Sequence, residues 1–318
     1  MILHTDYYIP DNKLTNEDLA NVFPDFSSKK IYEKVGIKER GVSLKNEYAS
    51  DLAVNASQKL FKNSNFDTSK IDFLIYCTQS PDYFLPATAC IIHERLGLKK
   101  SVGAIDINQG CSGFIYGLAL CKSLIFTGIA KNILLLTADT YTKYIDDTDK
   151  GNKSIFGDGA SASIISSTMQ SKILDFVLGS DGNGSNNLIV KNSGLRDNNF
   201  CFKPSLFMNG TEIFNFTIKS IPKLIFEVLK KNNLNIDQID LFIFHQANKF
   251  MLEHLRRKIG INKDKFIVDL EYTGNTVSST IPICIKKYNN IFMSSKYILL
   301  CGFGVGYSFG ACIIENKF

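Results

Sequence analysis

At 318 residues the chain is longer than a single core usually grows, so two domains or two similar halves are expected. Hydrophobic residues make up 45% and charged residues 21%, and no apolar run is long enough to span a bilayer, which excludes a membrane protein of the helical kind. The net charge of +5 comes from dispersed lysines with no basic run interleaved with aromatics, so nucleic acid is a poor partner, whereas a local basic face for an acidic partner is compatible with it. The N-terminal stretch MILHTDYYIPDNK lacks a basic flank, an apolar core and a small-residue cleavage site, so a cytoplasmic location is expected. Eight cysteines (77, 90, 111, 121, 201, 284, 301 and 312) are widely spaced, mostly in apolar runs, with no CxxC pair. That spacing argues against a disulfide framework and against a metal site, and for thiols that are mostly core.

In chain order, turn residues at Ile9 to Asn12 precede Thr15-Asn16-Glu17-Asp18-Leu19, which reads as a capped helix start. A helix is predicted from about Ala49 to Lys62, with Leu52, Ala53, Ala56, Leu60 and Phe61 at helical spacing. Ile71 to Cys77 reads as a strand buried on both faces. Pro86 opens a further helix that Gly97 closes. Val102 to Ile107 and Asn132 to Thr137 read as buried strands, with an apolar helix from Cys111 to Phe126 between them. Gly157-Asp158-Gly159 leads into a strand of small residues, and the run GSDGNGSNN in the 180s reads as an exposed loop between halves.

The second half repeats the order of the first. A helix over about Glu212 to Lys231 leads into Ile239 to Phe244, which matches Ile71 to Tyr76 some 168 positions earlier. YILLCG echoes NILLLT, and the strand around Gly310-Ala311-Cys312 echoes that around Ala160-Ser161-Ala162. Three echoes in one order point to an internal duplication: an α/β chain of two similar halves, residues 1–170 and 171–318, with parallel strands at the centre. In such sheets chemistry gathers where loops leave the carboxyl ends of strands.

Three strand ends carry candidate chemistry. Cys111 opens an apolar helix, where unpaired N–H groups and the macrodipole favour a thiolate. His245 follows a buried strand in FHQAN, and Asn275 sits in a Thr-Gly-Asn-Thr loop. Taken singly, each has a plain structural alternative: a buried Cys is a small hydrophobe, a strand-end His is commonly structural, and Asn suits turns. The run Gly302 to Gly306 invites comparison with a phosphate loop, but a strand follows it and no Gly-Lys-Ser/Thr is present, so a turn with closely approaching backbone fits better.

The segments IDINQGCSGFIYGL, FGDGASA, FHQANKFMLEHLRRKIG, GNTVSSTIP and GFGVGYSFGA, in that order, resemble the ketoacyl-acyl-carrier-protein synthase III family of thiolase-fold condensing enzymes. The resemblance runs over essentially the whole chain. It implies a duplicated thiolase-like fold, two βαβαβαββ halves in a five-layered α-β-α-β-α arrangement, and a homodimer. It implies a Cys-His-Asn catalytic set carried by Cys111, His245 and Asn275, with an oxyanion site from the backbone of Cys111, Gly304, Val305 and Gly306. Leu85, Phe156 and Phe303 fall at primer-pocket positions. Lys30, Lys150, Lys249, Arg256 and Arg257 fall where coenzyme A or acyl carrier protein is met. Acyl-CoA and malonyl-ACP are then substrates, with no cofactor and no metal.

The chain departs from the family pattern in places. Lys30 and Lys150 stand where members resemble one another in a Trp and an Arg that hold the nucleotide of coenzyme A, and Lys lacks their planar stacking and fork geometry. The primer carrier therefore stays open. Val305 replaces a third Gly in the loop, and GNTVSSTIP differs from the commoner GNTSAASVP, which implies a specialised paralogue in a surface-sugar or secondary-metabolite pathway. The rival readings are a thiolase-fold acyltransferase passing the acyl group to an alcohol or amine, and a non-catalytic carrier-binding partner.

Overall fold

A computed structural model of the chain describes residues 1–167, 171–196 and 203–317. Strand β1 (Ile2–Tyr8) is followed by β2 (Lys13–Thr15), α1 (Asn16–Val22), α2 (Ser28–Val35), β3 (Glu39–Gly41) and α3 (Ala49–Ser64). Next come β4 (Phe73–Cys77), α4 (Thr88–Arg95), β5 (Gly103–Ile107), α5 (Gly113–Phe126), β6 (Asn132–Asp139), α6 (Lys150–Ile155) and β7 (Gly159–Ser166). The remainder is β8 (Ser171–Ser180), β9 (Leu188–Lys191), β10 (Ser205–Met208), α7 (Gly210–Lys231), β11 (Leu241–Phe244), α8 (Lys249–Ile259), α9 (Thr280–Lys287), α10 (Asn289–Ser294), β12 (Tyr297–Gly304) and β13 (Ser308–Asn316).

Local chemistry explains several boundaries. Thr15 caps α1: its hydroxyl accepts from the Asp18 N–H at 3.1 Å, while the Asp18 carboxylate accepts from the Thr15 N–H at 2.8 Å. Helix α4 starts two residues after Pro86 because the Asp106 carboxylate, on β5, accepts from the N–H groups of Thr88 and Ala89 at 2.7 Å each. That cap comes from a distant strand and is invisible to local pattern reading. Apolar residues Leu52, Ala53, Ala56 and Leu60 bury one face of α3 against the first sheet.

The two sheets expose the duplication. The first has the order β1-β7-β6-β4-β5 and the second β8-β13-β12-β11. In each, an antiparallel pair (β1 with β7, β8 with β13) joins a second antiparallel pair (β7 with β6, β13 with β12), which joins a parallel pair (β6 with β4, β12 with β11). Among the described residues the second sheet has no counterpart of β5, and a parallel bridge from Phe242 to Phe266 stands in its place. Helices α5 and α9 touch strands of both sheets, α3 packs on the first sheet and α7 on the second. The layers are therefore helices, sheet, helices, sheet, helices, as expected.

Two expectations are corrected. Strand β5 is not buried on both faces: it is the sheet edge, its residues are half-buried, and Ile105 is exposed. The run in the 180s does not separate halves, since β8 of the second sheet precedes it. Six of the cysteines are buried as expected, Cys90 is exposed, and Cys201 lies outside the described residues.

Candidate active site

Cys111 lies between the end of β5 and α5, one residue before the Ser112 N-cap. The helix begins at Gly113, two residues later than expected. The loop is clamped by a bond of 2.7 Å from the Gly113 N–H to the Gly110 C=O and by Ser112 and Ser308 hydroxyls 2.6 Å apart. Strand β12 runs directly over it. A Cβ at Gly302 would lie 2.8 Å from Ser112 Cα, so glycine is required there for the backbones to approach.

Cys111 is only 4% exposed. Burial pushes its thiol up to about 12, and the Asp139 carboxylate pushes in the same direction. Backbone hydrogen bonds from Cys111 itself and from Val305 pull weakly the other way. The expectation of a resting thiolate is thus overturned: loss of hydration outweighs the helix end, whose effect fades within a turn.

His245 continues β11, its N–H donating to the Cys301 C=O at 2.8 Å. Its ring stands edge-on to Phe303 at 5.6 Å, with Nδ1 2.8 Å from Thr280 Oγ1. The Thr280 hydroxyl is also 3.2 Å from the Val277 C=O, so it can turn its proton to either neighbour and supports either ring tautomer. Burial holds the imidazole down to about 3, leaving it neutral. The rest of the His-Gln-Ala-Asn motif is scaffolding. Gln246 donates to Phe244 C=O at 2.6 Å and accepts from Asp269 N–H at 2.8 Å, while Asn248 caps α8 through Met251 N–H at 2.9 Å.

Asn275 is stitched to the other sheet's side of the molecule. Its N–H donates to the Ile155 C=O at 2.9 Å and its C=O accepts from the Gly157 N–H at 3.1 Å. Its side-chain Oδ1 accepts from the Val277 N–H at 2.9 Å, which turns the amide so that Nδ2 remains free to donate elsewhere. Val277 adopts φ +54 and is fully buried. Such a conformation costs about 1–3 kcal/mol in a β-branched residue, comparable to the roughly 1.5–3 kcal/mol its buried side chain returns. Behind this loop, Asp139 accepts from Ser278 Oγ at 2.6 Å and from Gln79 N–H at 2.8 Å, and burial raises its carboxyl to about 7.

Cys111, His245 and Asn275 line one cavity of about 100 Å³, together with Phe156, Phe303 and Gly304. Two family models match the sequence: 3-oxoacyl-[acyl-carrier-protein (ACP)] synthase III over residues 105–182 and its C-terminal region over 229–316. A beta-ketoacyl-[acyl-carrier-protein] synthase III from Clostridium perfringens is 38% identical over 315 residues, 97% of this chain and 96% of that protein. The chain belongs to the 3-oxoacyl-[acyl-carrier-protein] synthase III family. A crystal structure of a 3-oxoacyl-(acyl-carrier-protein) synthase III superposes with a TM-score of 0.94 at 40% identity, covering 99% of this chain and 98% of the other. The crystal structure of a 3-oxoacyl-(acyl-carrier protein) synthase from Burkholderia xenovorans LB400 gives 0.91 at 34% identity, covering 99% of this chain and 93% of the other. The synthase III fold is therefore shared from end to end.

The remaining expected site residues of this synthase III family member are scattered more widely. Leu85 is 82% exposed and does not line the Cys111 cavity, because it sits in a loop that leads away from it before α4. Gly304 abuts Cys111 and Val305 reaches its thiol through the backbone, whereas Gly306, at φ +129, turns toward Ser308. Lys150 is paired with Asp25, and Lys30 lies close enough to act on the same carboxylate. Lys249, on α8, holds its ammonium 5.9 Å from the Tyr32 ring centre. Arg256 is not a free docking group: Nε and one terminal nitrogen donate to Glu253, and the other donates to the Ile261 C=O. Arg257 donates to the Glu253 C=O at 3.1 Å. Thr280, Asp139, Gln79 and Tyr141 went unnoticed in the sequence. Only Asp139, a carboxylate ending a buried strand, left a trace that could have been read there.

Proposed function

We propose that the chain catalyses a decarboxylative condensation: an acyl primer is loaded on Cys111 from acyl-CoA, then joined to the malonyl unit of malonyl-ACP to give 3-oxoacyl-ACP. The observation that carries this is the convergence of Cys111, His245 and Asn275, from three separate loops, on one cavity. The resting thiol and imidazole are both neutral, so the nucleophile must be made during attack. With Nε2 unprotonated, His245 takes the thiol proton as sulfur attacks the primer thioester and returns it to the departing sulfur. With the Thr280 proton turned to Nδ1, the ring presents Nε2–H instead. That N–H and the Asn275 amide then donate to the enolate oxygen formed as CO₂ leaves. The carbanion attacks the acyl-Cys, backbone N–H groups of Cys111 and Val305 hold the resulting oxyanion, with Gly304 leaving room for it, and the adduct collapses by breaking the C–S bond, which frees 3-oxoacyl-ACP and a Cys111 thiolate that takes a proton from solvent. So written, the reaction calls for no metal and no redox cofactor.

The same proposal covers partners and place. Lys249 and Arg257 on α8, with Lys30 on the adjoining α2, offer a positively charged face to an acidic carrier protein. A homodimer is supported by the open edge of β5 and by the exposed Tyr83, Phe84 and Leu85 beside it. Leu85, so exposed in its own subunit, can serve a primer pocket only if a second copy receives it. We take the halves as 1–170 and 171–318, since each large sheet draws its strands from one side of that boundary. Among the described residues no helix is long and apolar enough to cross a membrane, and a cytoplasmic site of action belongs to the same reading. Incubation with acyl-CoA and isotopically labelled malonyl-ACP tests it: labelled CO₂ and a 3-oxoacyl-ACP, both dependent on Cys111, are expected. Transfer of the acyl group to an alcohol or amine with no CO₂ released would overturn it.

A further inference from the structure

Arg40, on β3, is fully buried, yet each of its three acceptors is an uncharged carbonyl oxygen. One terminal nitrogen donates to the Leu14 C=O at 3.0 Å, and the other donates to Asn16 Oδ1 at 2.8 Å and to the Ser154 C=O at 2.9 Å. Its Nε has no partner among the described residues. Burial holds the guanidinium down to about 10, which leaves it charged at neutral pH, and the carboxylates of Glu39, Asp18 and Glu17 act on it only through space. Burying a charge without an opposite charge in contact costs stability that an apolar side chain of similar volume keeps. What the guanidinium supplies in return is geometry: its planar fork reaches carbonyls on three separate segments, which the single ammonium of Lys cannot do.

Those contacts set Arg40 against the backbone that carries Asn275. Ser154 is in the last turn of α6, and the next carbonyl, that of Ile155, is the one that accepts from the Asn275 N–H. A Cβ added at Gly157 would lie 2.9 Å from Arg40 Cβ, and one at Gly274 would lie 3.0 Å from it, so the Arg40 stem packs directly on both glycines that adjoin this pairing. The N–H groups of Lys38 and Glu39, just before Arg40, both donate to the Glu271 C=O at the approach to the same loop. Arg40 does not line the Cys111 cavity and therefore acts through the loop rather than on the substrate. We infer that Arg40 is a positioning residue for Asn275: by fixing the end of α6 and wedging Gly157 and Gly274, it sets where the carboxamide meets the enolate oxygen. The inference rests on the role given to the Asn275 amide above.

The test is a double-mutant cycle read on two steps: acyl-adduct formation from acetyl-CoA, followed by intact mass, and CO₂ release from labelled malonyl-ACP by pre-formed acyl enzyme. In Arg40→Lys, adduct formation should stay within about 3-fold of wild type while CO₂ release falls about 10- to 100-fold, the scale of a displacement of up to about 1 Å. Arg40→Lys combined with Asn275→Ala should release CO₂ no more slowly than Asn275→Ala alone, because residues that act as one unit do not add. Asn16→Ala, which removes one of the three acceptors and keeps the guanidinium, should show the same split at several-fold, and it carries the test if Arg40→Lys does not fold. CO₂ release at the wild-type rate in the folded variants, equal slowing of both steps, or losses that multiply in the double variant would overturn the inference and leave Arg40 a support of the fold at large. Undiminished CO₂ release in Asn275→Ala alone would instead sink the reading of the amide on which it stands.

Discussion

No side chain can be added at Gly304 without meeting Cys111: a Cβ there would lie 2.8 Å from Cys111 Cβ and 3.0 Å from Sγ. Contacts that short force the sulfur to move, and a displacement on the order of 1 Å can cost about 100-fold in rate. Gly304→Ala should therefore slow acyl-adduct formation about 100-fold. Gly182, where an added Cβ meets nothing within 4 Å, provides the control. Gly182→Ala should load at the wild-type rate, with melting curves confirming that both variants fold.

The loading and decarboxylation steps should separate by mutation. Cys111→Ala abolishes the adduct. Asn275→Ala keeps it while slowing CO₂ release by about 10²- to 10³-fold, the usual cost of one oxyanion donor. His245→Ala slows both, because the ring accepts the thiol proton in the first step and donates a hydrogen bond to the enolate oxygen in the second. Equal loss of both steps in a folded Asn275→Ala variant would contradict the role given to the amide.

Decarboxylation should show no inflection near the ordinary histidine pKa of 6.5, because burial holds His245 at about 3. The pH–rate profile of CO₂ release from pre-formed acyl enzyme is the measurement. An inflection near 6.5 that His245→Ala removes would show the ring to be charged in the working site.

Asp139 gives a stability signature of definite sign. Its carboxyl titrates at about 7 in the folded chain against 3.8 ordinarily, so the folded state binds the extra proton between those values. The stability this contributes is complete below 3.8 and is lost as pH rises through about 7. Asp139→Asn removes the titration, so calorimetry should find its melting temperature gaining on the wild type from pH 4 to pH 7. A difference that shrinks over that range would contradict the burial argument.

The exposed edge of β5 predicts the oligomeric state. The wild type should sediment as a dimer, and Ile105→Lys combined with Phe84→Asp should shift it toward monomer by placing charge where apolar surface is covered. A wild-type chain that sediments as a monomer at micromolar concentration would refute the pairing.

Much of this was legible in the residues because it is written in periodicity. The match of Ile71–Tyr76 with Ile239–Phe244 became two strands, β4 and β11, in equivalent places of two sheets. Cys111 and His245 were legible as residues just after strands, β5 and β11, whereas no strand leads into Asn275 among the described residues, and only a single bridge to Phe156 holds its backbone there. What stayed hidden depends on three-dimensional surroundings. The protonation of Cys111 is decided by burial and by Asp139, 28 positions away in the chain. The commitment of Arg256 to Glu253 and Ile261 is a matter of helix geometry. The backbone of Val277, in a conformation local rules give to glycine, is held by the loop around it. The Tyr141–Gln79 bond joins residues that nothing in their local patterns relates.

The stitching of Asn275 to Ile155 and Gly157 bears on the chain's ancestry. By the correspondence of Ile71 with Ile239, the position matching His245 in the first lobe is Cys77, a buried thiol that donates to the Gln109 C=O behind the nucleophile loop. Neither lobe keeps a whole set of reactive groups, and the strap that orients the carboxamide crosses from one to the other. On the proposed assignment, separately expressed halves 1–170 and 171–318 should form no 3-oxoacyl product alone, because the thiol and the strap that orients the carboxamide lie on different sides of that cut.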